Sequence, residues 1–312
     1  MKIVYFGSSE FAVLPLKSLI EAGADICCVV TQPDRSKGRG LHLEGTPVKN
    51  IAKEAGLKIY QPHSINTEES NVLLESFKPD IFIVIAYGQI LSQDILDIPG
   101  IFSVNAHASL LPKYRGAAPI NWAIVKGEKT TGVSIIKMNA KMDAGEIILQ
   151  KKLDIKESDT AITMGQRLSE LAALLILESL SAIENKKVKL TKQKDSEISF
   201  APLLRKESGL INWNAPAGNL HNLIRGMLPW PGAFTYYKGK LLKIFSSRVL
   251  ESSGPRVSPG EIAEVSKLGI VVAAQGGFLE IRELQLEGKR RMPAEEFASG
   301  HKIKPGQILG KI

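Results

Sequence analysis

The first 150 residues alternate short apolar runs with amphipathic stretches. Residues 3–6, 26–30, 59–60, 81–86 and 102–105 read as strands, and helices are expected to begin near Phe11, Pro47 and Glu68. The run Ile81-Phe82-Ile83-Val84-Ile85-Ala86 has no polar alternation, which fits a strand covered on both faces, as parallel strands are. This order predicts a Rossmann-like, doubly wound α/β layer with a mainly parallel sheet, whose ligands bind beyond the carboxyl ends of the strands. Gly7, Tyr87-Gly88 and the stretch from Asn105 to His107 fall at three such ends. Residues 130–138 and 147–150 read as a hairpin joined by 139–146, and the long pattern over 160–184 as a helix that closes the domain.

Periodicity then stops. Residues 191–202 are polar and follow neither a helical nor a strand repeat, so they read as a linker. Beyond them an amphipathic helix over 219–227 precedes short strands at 234–237, 241–246, 260–265, 269–273 and 278–286, with glycine turns between, which predicts a small C-terminal β-barrel of the OB-like type. The expected organisation is a domain over 1–190, a linker over 191–208 and a second domain over 209–312. A chain of 312 residues suits two cores.

Composition changes this picture in two places. The net charge is +8, and residues 206–312 hold 15 Lys/Arg against 9 Asp/Glu, so most of the excess is C-terminal. That bias fits either a polyanion partner or an ordinary basic surface. Cys27 and Cys28 are adjacent in an apolar run, poorly placed for one disulfide, and read as reduced core thiols. No apolar run approaches the ~20 residues of a membrane span. The start reads as a strand and not as a signal or transit segment, so a cytoplasmic monomer is expected.

The chemistry concentrates in 102–119. Asn105 and His107 are two residues apart on an extended segment and face the same way, one a fixed donor and the other a titratable group near neutral pH. Ser109-Leu110-Leu111-Pro112-Lys113-Tyr114-Arg115-Gly116 follows as a rigid loop. The Asn-x-His pair with this loop resembles the folate-dependent formyltransferases. Gly209-Leu-Ile-Asn-Trp213, His221-Asn-Leu-Ile-Arg225 and Pro229-Trp-Pro-Gly-Ala-Phe234 extend the resemblance across nearly the whole chain.

Taken alone, Asp143 before Ala144-Gly145 is a turn residue. The resemblance implies instead a catalytic Asn105, His107 and Asp143, with 10-formyltetrahydrofolate as formyl donor held near Tyr87, Gly88, Ser109, Leu110, Leu111 and Pro112. It implies initiator methionyl-tRNA as acceptor. The basic Gly/Pro-rich loop over 31–49 carries the candidate tRNA contacts Arg35, Lys37 and Arg39. A sugar-nucleotide N-formyltransferase and a formyltetrahydrofolate hydrolase share the core and are the competing readings. Arg115 reads as either a loop anchor or a direct ligand, and Trp230, between two prolines, as a packing anchor. Phe6-Gly7-Ser8-Ser9 lacks a full Gly-x-Gly-x-x-Gly, so no dinucleotide is expected, and no metal constellation stands out.

Overall fold

A computed structural model describes residues 1–37, 42–250 and 257–310. It divides into two compact units, one of residues 1–119, 130–154 and 165–201, the other of 120–129, 155–164 and 202–312.

In chain order the elements of the first half are β1 (Lys2–Gly7), α1 (Val13–Glu21), β2 (Asp25–Val30), β3 (Arg35–Lys37), β4 (His42–Glu44), α2 (Pro47–Glu54), β5 (Ile59–Tyr60), α3 (Glu68–Ser76), β6 (Ile81–Ile85), α4 (Gln93–Leu96), β7 (Phe102–His107), α5 (Pro119–Val125), β8 (Thr130–Lys137), β9 (Ile147–Asp154) and α6 (Ala161–Glu184). Local chemistry sets several starts. Thr46 caps α2 by accepting from the Lys49 amide with Pro47 next in line, and Thr67 caps α3 ahead of Glu68 and Glu69.

The main sheet has the order β5-β2-β1-β6-β7-β8-β9. Its first four pairings are parallel, and β8 and β9 add to the β7 edge antiparallel. The chain builds outward from β1 to β2 and β5, then crosses to β6 and β7, so the order reverses between β1 and β6. This is the expected doubly wound sheet. β6 is buried at all five positions, and Val4, Phe6, Phe82, Val84 and Tyr87 share one core cluster. Cys28 is enclosed there too, and burial pushes its thiol up to about 12.

Two features differ from the sequence expectation. The hairpin strand expected to stop at 150 runs to Asp154, because Lys151 and Lys152 lie on an exposed sheet edge where charge is tolerated. The stretch expected as a plain loop over 31–46 carries the short antiparallel pair β3–β4.

The second unit contains α7 (Ala217–Gly226), β10 (Ala233–Tyr237), β11 (Lys240–Leu250), β12 (Ile262–Ser266), β13 (Gly269–Ala274), β14 (Gly277–Leu286), β15 (Met292–Pro293) and α8 (Ala294–His301). Its antiparallel sheet runs β10-β11-β14-β13-β12, with β15 on β14. Trp213, Leu220, Ile224, Leu242, Ile281 and Phe297 fill the core, where the Trp213 indole N–H donates to Thr235 Oγ1 at 3.0 Å. Trp230 is not the packing anchor its prolines suggested. It is 55% exposed, because the flanking prolines restrict the backbone of the turn without directing the ring inward. Among the described residues no helix is long and apolar enough to cross a membrane.

Candidate active site

β7 ends by delivering Asn105 and His107 to one face of the sheet, and the β8–β9 connection brings Asp143 over them. The Asp143 carboxylate is shared between three groups. Its Oδ1 accepts from Asn105 Nδ2 at 3.3 Å and lies 3.5 Å from His107 Nδ1, while its Oδ2 accepts from the Gly116 amide at 2.8 Å. His107 is buried, and its Nε2 lies 2.9 Å from the Tyr114 carbonyl. A carbonyl oxygen only accepts, so Nε2 carries the proton and Nδ1, facing Asp143, is the nitrogen free to exchange one. The arrangement combines a neutral amide donor, an imidazole with one nitrogen free to exchange a proton and a carboxylate that faces both.

The loops that hold these groups are tightly specified. Asp143 adopts φ +51°, a conformation that Asp tolerates better than most residues. Gly145, two residues on, passes so close to β8 that a Cβ there would sit 1.8 Å from the Lys137 carbonyl oxygen. The Ser109–Gly116 loop is tied down from below: Ser134 Oγ donates to the Ser109 carbonyl and accepts from the Leu111 amide and from Gln150 Nε2. Residues 199–201 line its other side, with Tyr114 N–H on Ser199 Oγ at 3.0 Å and Arg115 N–H on the Ser199 carbonyl at 2.9 Å.

One residue joins both loops. Gln193 Nε2 donates to the carbonyls of Asp143 and Gly145 at 2.8 and 2.7 Å, and its Oε1 accepts from Arg115 Nε and Nη2 at 3.0 and 2.7 Å. Arg115 is therefore bound as a loop anchor. Gln193 gave no signal in the sequence, since it stands in the polar, non-periodic stretch after α6, where one glutamine is indistinguishable from a solvated one.

The other expected site residues are dispersed. Tyr87 is enclosed, with its ring edge-on to Phe6 at 5.5 Å between centroids, and burial holds its hydroxyl well above its usual range. Ser109, Leu111 and Pro112 are buried, and Ser109 Oγ donates to the Lys113 carbonyl at 2.6 Å. Leu110 is half-buried beside Gly132, and Gly88 turns at φ +94°. Gly88 and Tyr87 also line a cleft of ≈ 550 Å³ with residues that follow β1 and β2. Arg35 is exposed at its rim, Lys37 is described in its backbone alone, and Arg39 lies outside the described residues.

Comparison with known proteins places this geometry in a family. Residues 1–180 match the model described as formyl transferase, and 203–302 the formyl transferase C-terminal domain. A methionyl-tRNA formyltransferase of Caldanaerobacter subterraneus subsp. tengcongensis is 44% identical over 310 residues, covering 99% of this chain and 100% of the relative. One from Alkaliphilus metalliredigens is 46% identical over 315 residues, covering 100% and 99%. Among solved structures, the sugar 3N-formyl transferase WlaRD, crystallised in the presence of dTDP and 5-N-formyl-THF, aligns with a TM-score of 0.68 at 20% identity, covering 93% of this chain and 99% of its own. HypX from Aquifex aeolicus in complex with tetrahydrofolic acid aligns at 0.63 and 17%, covering 96% of this chain and 47% of its own. At those identities the likeness is one of fold.

Proposed function

Because this chain belongs to the formyl transferase family over both of its halves, we propose that Asn105, His107 and Asp143 are the groups with which it performs formyl transfer. The reaction is the formylation of methionyl initiator tRNA from a formyl-tetrahydrofolate donor, and the full-length relatives are methionyl-tRNA formyltransferases. The observation that carries the residue assignment is the convergence of Asn105 Nδ2 and His107 Nδ1 on a single oxygen of Asp143. We take the donor to be 10-formyltetrahydrofolate and the enzyme to be a cytoplasmic monomer.

Transfer of a formyl group to an amine requires a deprotonated amine, an acidic proton for the departing nitrogen and a donor for the oxyanion that develops between them. Asn105 spends one N–H on Asp143 and keeps the other for the oxyanion, a role in which one lost donor costs about 3 kcal/mol of transition-state stabilisation. His107 exchanges the proton at Nδ1, with Nε2 held by Tyr114. Asp143 orients the His107 ring from its Nδ1 side and fixes the Asn105 amide. The 109–112 loop and the Tyr87-Gly88 turn form the donor wall, through Leu110 and main-chain groups where the side chains are enclosed. Arg35, Lys37 and Arg39 meet the acceptor end of the tRNA, and the basic residues of 206–312 grip its backbone.

The test is formyl transfer from 10-formyltetrahydrofolate to charged initiator tRNA, run beside a UDP-amino sugar and beside water. Transfer to the tRNA alone is expected. Faster transfer to the sugar nucleotide, or hydrolysis outpacing tRNA formylation, would replace this reading with one of its two competitors.

A further inference from the structure

Strand register sets four positions in a row above the sheet. Asn105 pairs with Val84, Val84 with Phe6 and Phe6 with Val30. Two residues farther along each chain stand His107, Ala86, Ser8 and Gln32. With strands spaced roughly 4.8 Å apart, Ser8 lies about 10 Å and Gln32 about 14 Å across the sheet from His107. The ≈ 550 Å³ cleft opens over the far end of this row, lined by Ser8, Ser9, Gln32, Arg35, Thr46 and Gly88 among others. It sits where the strand order reverses, the place at which open α/β sheets bind ligands. The catalytic groups occupy the near end of the row and use none of these side chains.

The lining is prepared for a polar, uncharged ligand. The Gln32 main chain is committed, its N–H to Ser8 Oγ at 3.1 Å and its carbonyl to Gln61 Nε2 at 2.8 Å. Its side-chain oxygen accepts from Arg35 Nη2 at 3.4 Å, but its side-chain nitrogen is buried without a partner among the described residues. A buried amide donor left unpaired carries a desolvation cost, and its terminal torsion is soft, so it turns toward an acceptor that enters the cleft. At the mouth, Arg35 and Glu44 are paired in register across β3–β4, and both line the opening. Their charges offset, which favours a nucleoside over a free phosphate.

Resting on the reading of the chain as a tRNA-formylating enzyme, we propose that this cleft seats the terminal adenosine of the aminoacylated acceptor, with Gln32 as its hydrogen-bonding contact. The span fits. From the α-amine through the ester and ribose to the far edge of the base is roughly 12–14 Å of bonded atoms, the distance from His107 to Gln32. A glutamine amide also matches the paired donor and acceptor that adenine presents. Arg35 of β3 and Glu44 of β4 line the cleft, and Arg35 is one of the residues expected to meet the acceptor end, so that contact and the cleft are continuous.

Steady-state formylation of charged initiator tRNA, with adenosine as probe, tests this. Adenosine should inhibit the unmodified enzyme competitively against charged tRNA and not against the formyl donor. Gln32→Leu and Gln32→Glu should each raise KM for charged tRNA by about ten-fold and weaken adenosine inhibition in step, with donor KM unchanged. The Glu variant keeps an acceptor for Arg35 and loses only the donor, so a merely structural Gln32 would leave it near normal. Absence of adenosine inhibition, competition with the donor, or unaltered KM in folded Gln32→Glu would each overturn the proposal while formylation of tRNA still stood. Failure of the unmodified enzyme to formylate charged tRNA would instead remove the functional reading beneath it. If Gln32→Leu does not fold, the adenosine arm and the Glu variant decide alone.

Discussion

Gln193→Leu removes a side chain that ties the Asp143 loop to the Arg115 loop, and its effect can be worked from the bonds it makes. Two amide hydrogens reach the carbonyls of Asp143 and Gly145, and two guanidinium hydrogens converge on its oxygen. Neutral hydrogen bonds contribute about 1 kcal/mol net and those to a charged group about 1.5–3 kcal/mol, so the two amide bonds that hold the Asp143 loop sum to about 2 kcal/mol and the two from the Arg115 guanidinium to about 3 kcal/mol or more. It works against the positive φ of Asp143, a conformation costing about 1–3 kcal/mol outside glycine. Asp143 retains its bond from the Gly116 amide, so the loop is loosened and not expelled. A loss of about 2 kcal/mol from the competent loop conformation lowers its population by roughly 30-fold, and kcat should fall by that factor. The assay is single-turnover formylation at saturating donor and charged tRNA, with thermal melting alongside. Gln193→Glu is the informative companion: it keeps an acceptor for Arg115 but sets a carboxylate against two carbonyl oxygens, so it should be impaired as severely as Leu. A kcat within two-fold of normal in both folded variants would refute the clamp as a positioning device.

Replacing His107 or Asn105 with Ala should lower kcat by roughly 10² or more with little change in donor affinity, measured by single-turnover kinetics and donor titration; near-normal turnover in a folded variant removes that residue from the chemistry. His221 is depressed below its usual range first by burial and then by Arg225, with Glu157 opposing. Its neutral form is thus favoured in the folded state, stability is fully present above pH 6.5 and is lost as pH falls through the lowered value, and His221→Gln should flatten melting temperature against pH between 7.5 and 5. Removing several Lys or Arg from 206–312 should weaken tRNA binding across sequences and reduce the slope of log affinity against log salt by about one per lost phosphate contact; an unchanged slope denies those residues a grip.

The parts of the fold most legible in the sequence were those where burial is continuous. β6 reads as a strand because every position in it is apolar, whereas the outer half of β9 sets Lys151 and Lys152 side by side at an exposed edge and carries no such signal. β11 runs to Leu250, four residues beyond its expected end, because register shifts near Ser246 break the period-two pattern there. At the candidate site, Asn105 and His107 are legible as residue types, and Asp143 only through the family resemblance. The support beneath them is not: Ser134, Gln193 and Ser199 act through hydrogen bonds to residues distant in sequence, and such contacts depend on where the chain returns in space. Trp230 failed for the opposite reason, since local proline stiffness was read as evidence of burial.

The division of labour along the sheet explains why the reaction is easier to read than its acceptor. Proton transfer and oxyanion stabilisation need a few groups at fixed separations, and in the proposed mechanism β7 with the β8–β9 connection supplies them from positions two residues apart on one strand and at one turn of positive φ. Acceptor choice needs an extended surface. In the proposed reading it draws on the ends of β1 and β2, on the β3–β4 pair and on the charge of residues 206–312, none of which is constrained by the geometry of the Asp143 carboxylate. Substitutions on the β1–β2 side should therefore alter KM for the acceptor before they alter kcat, and those around Asp143 the reverse.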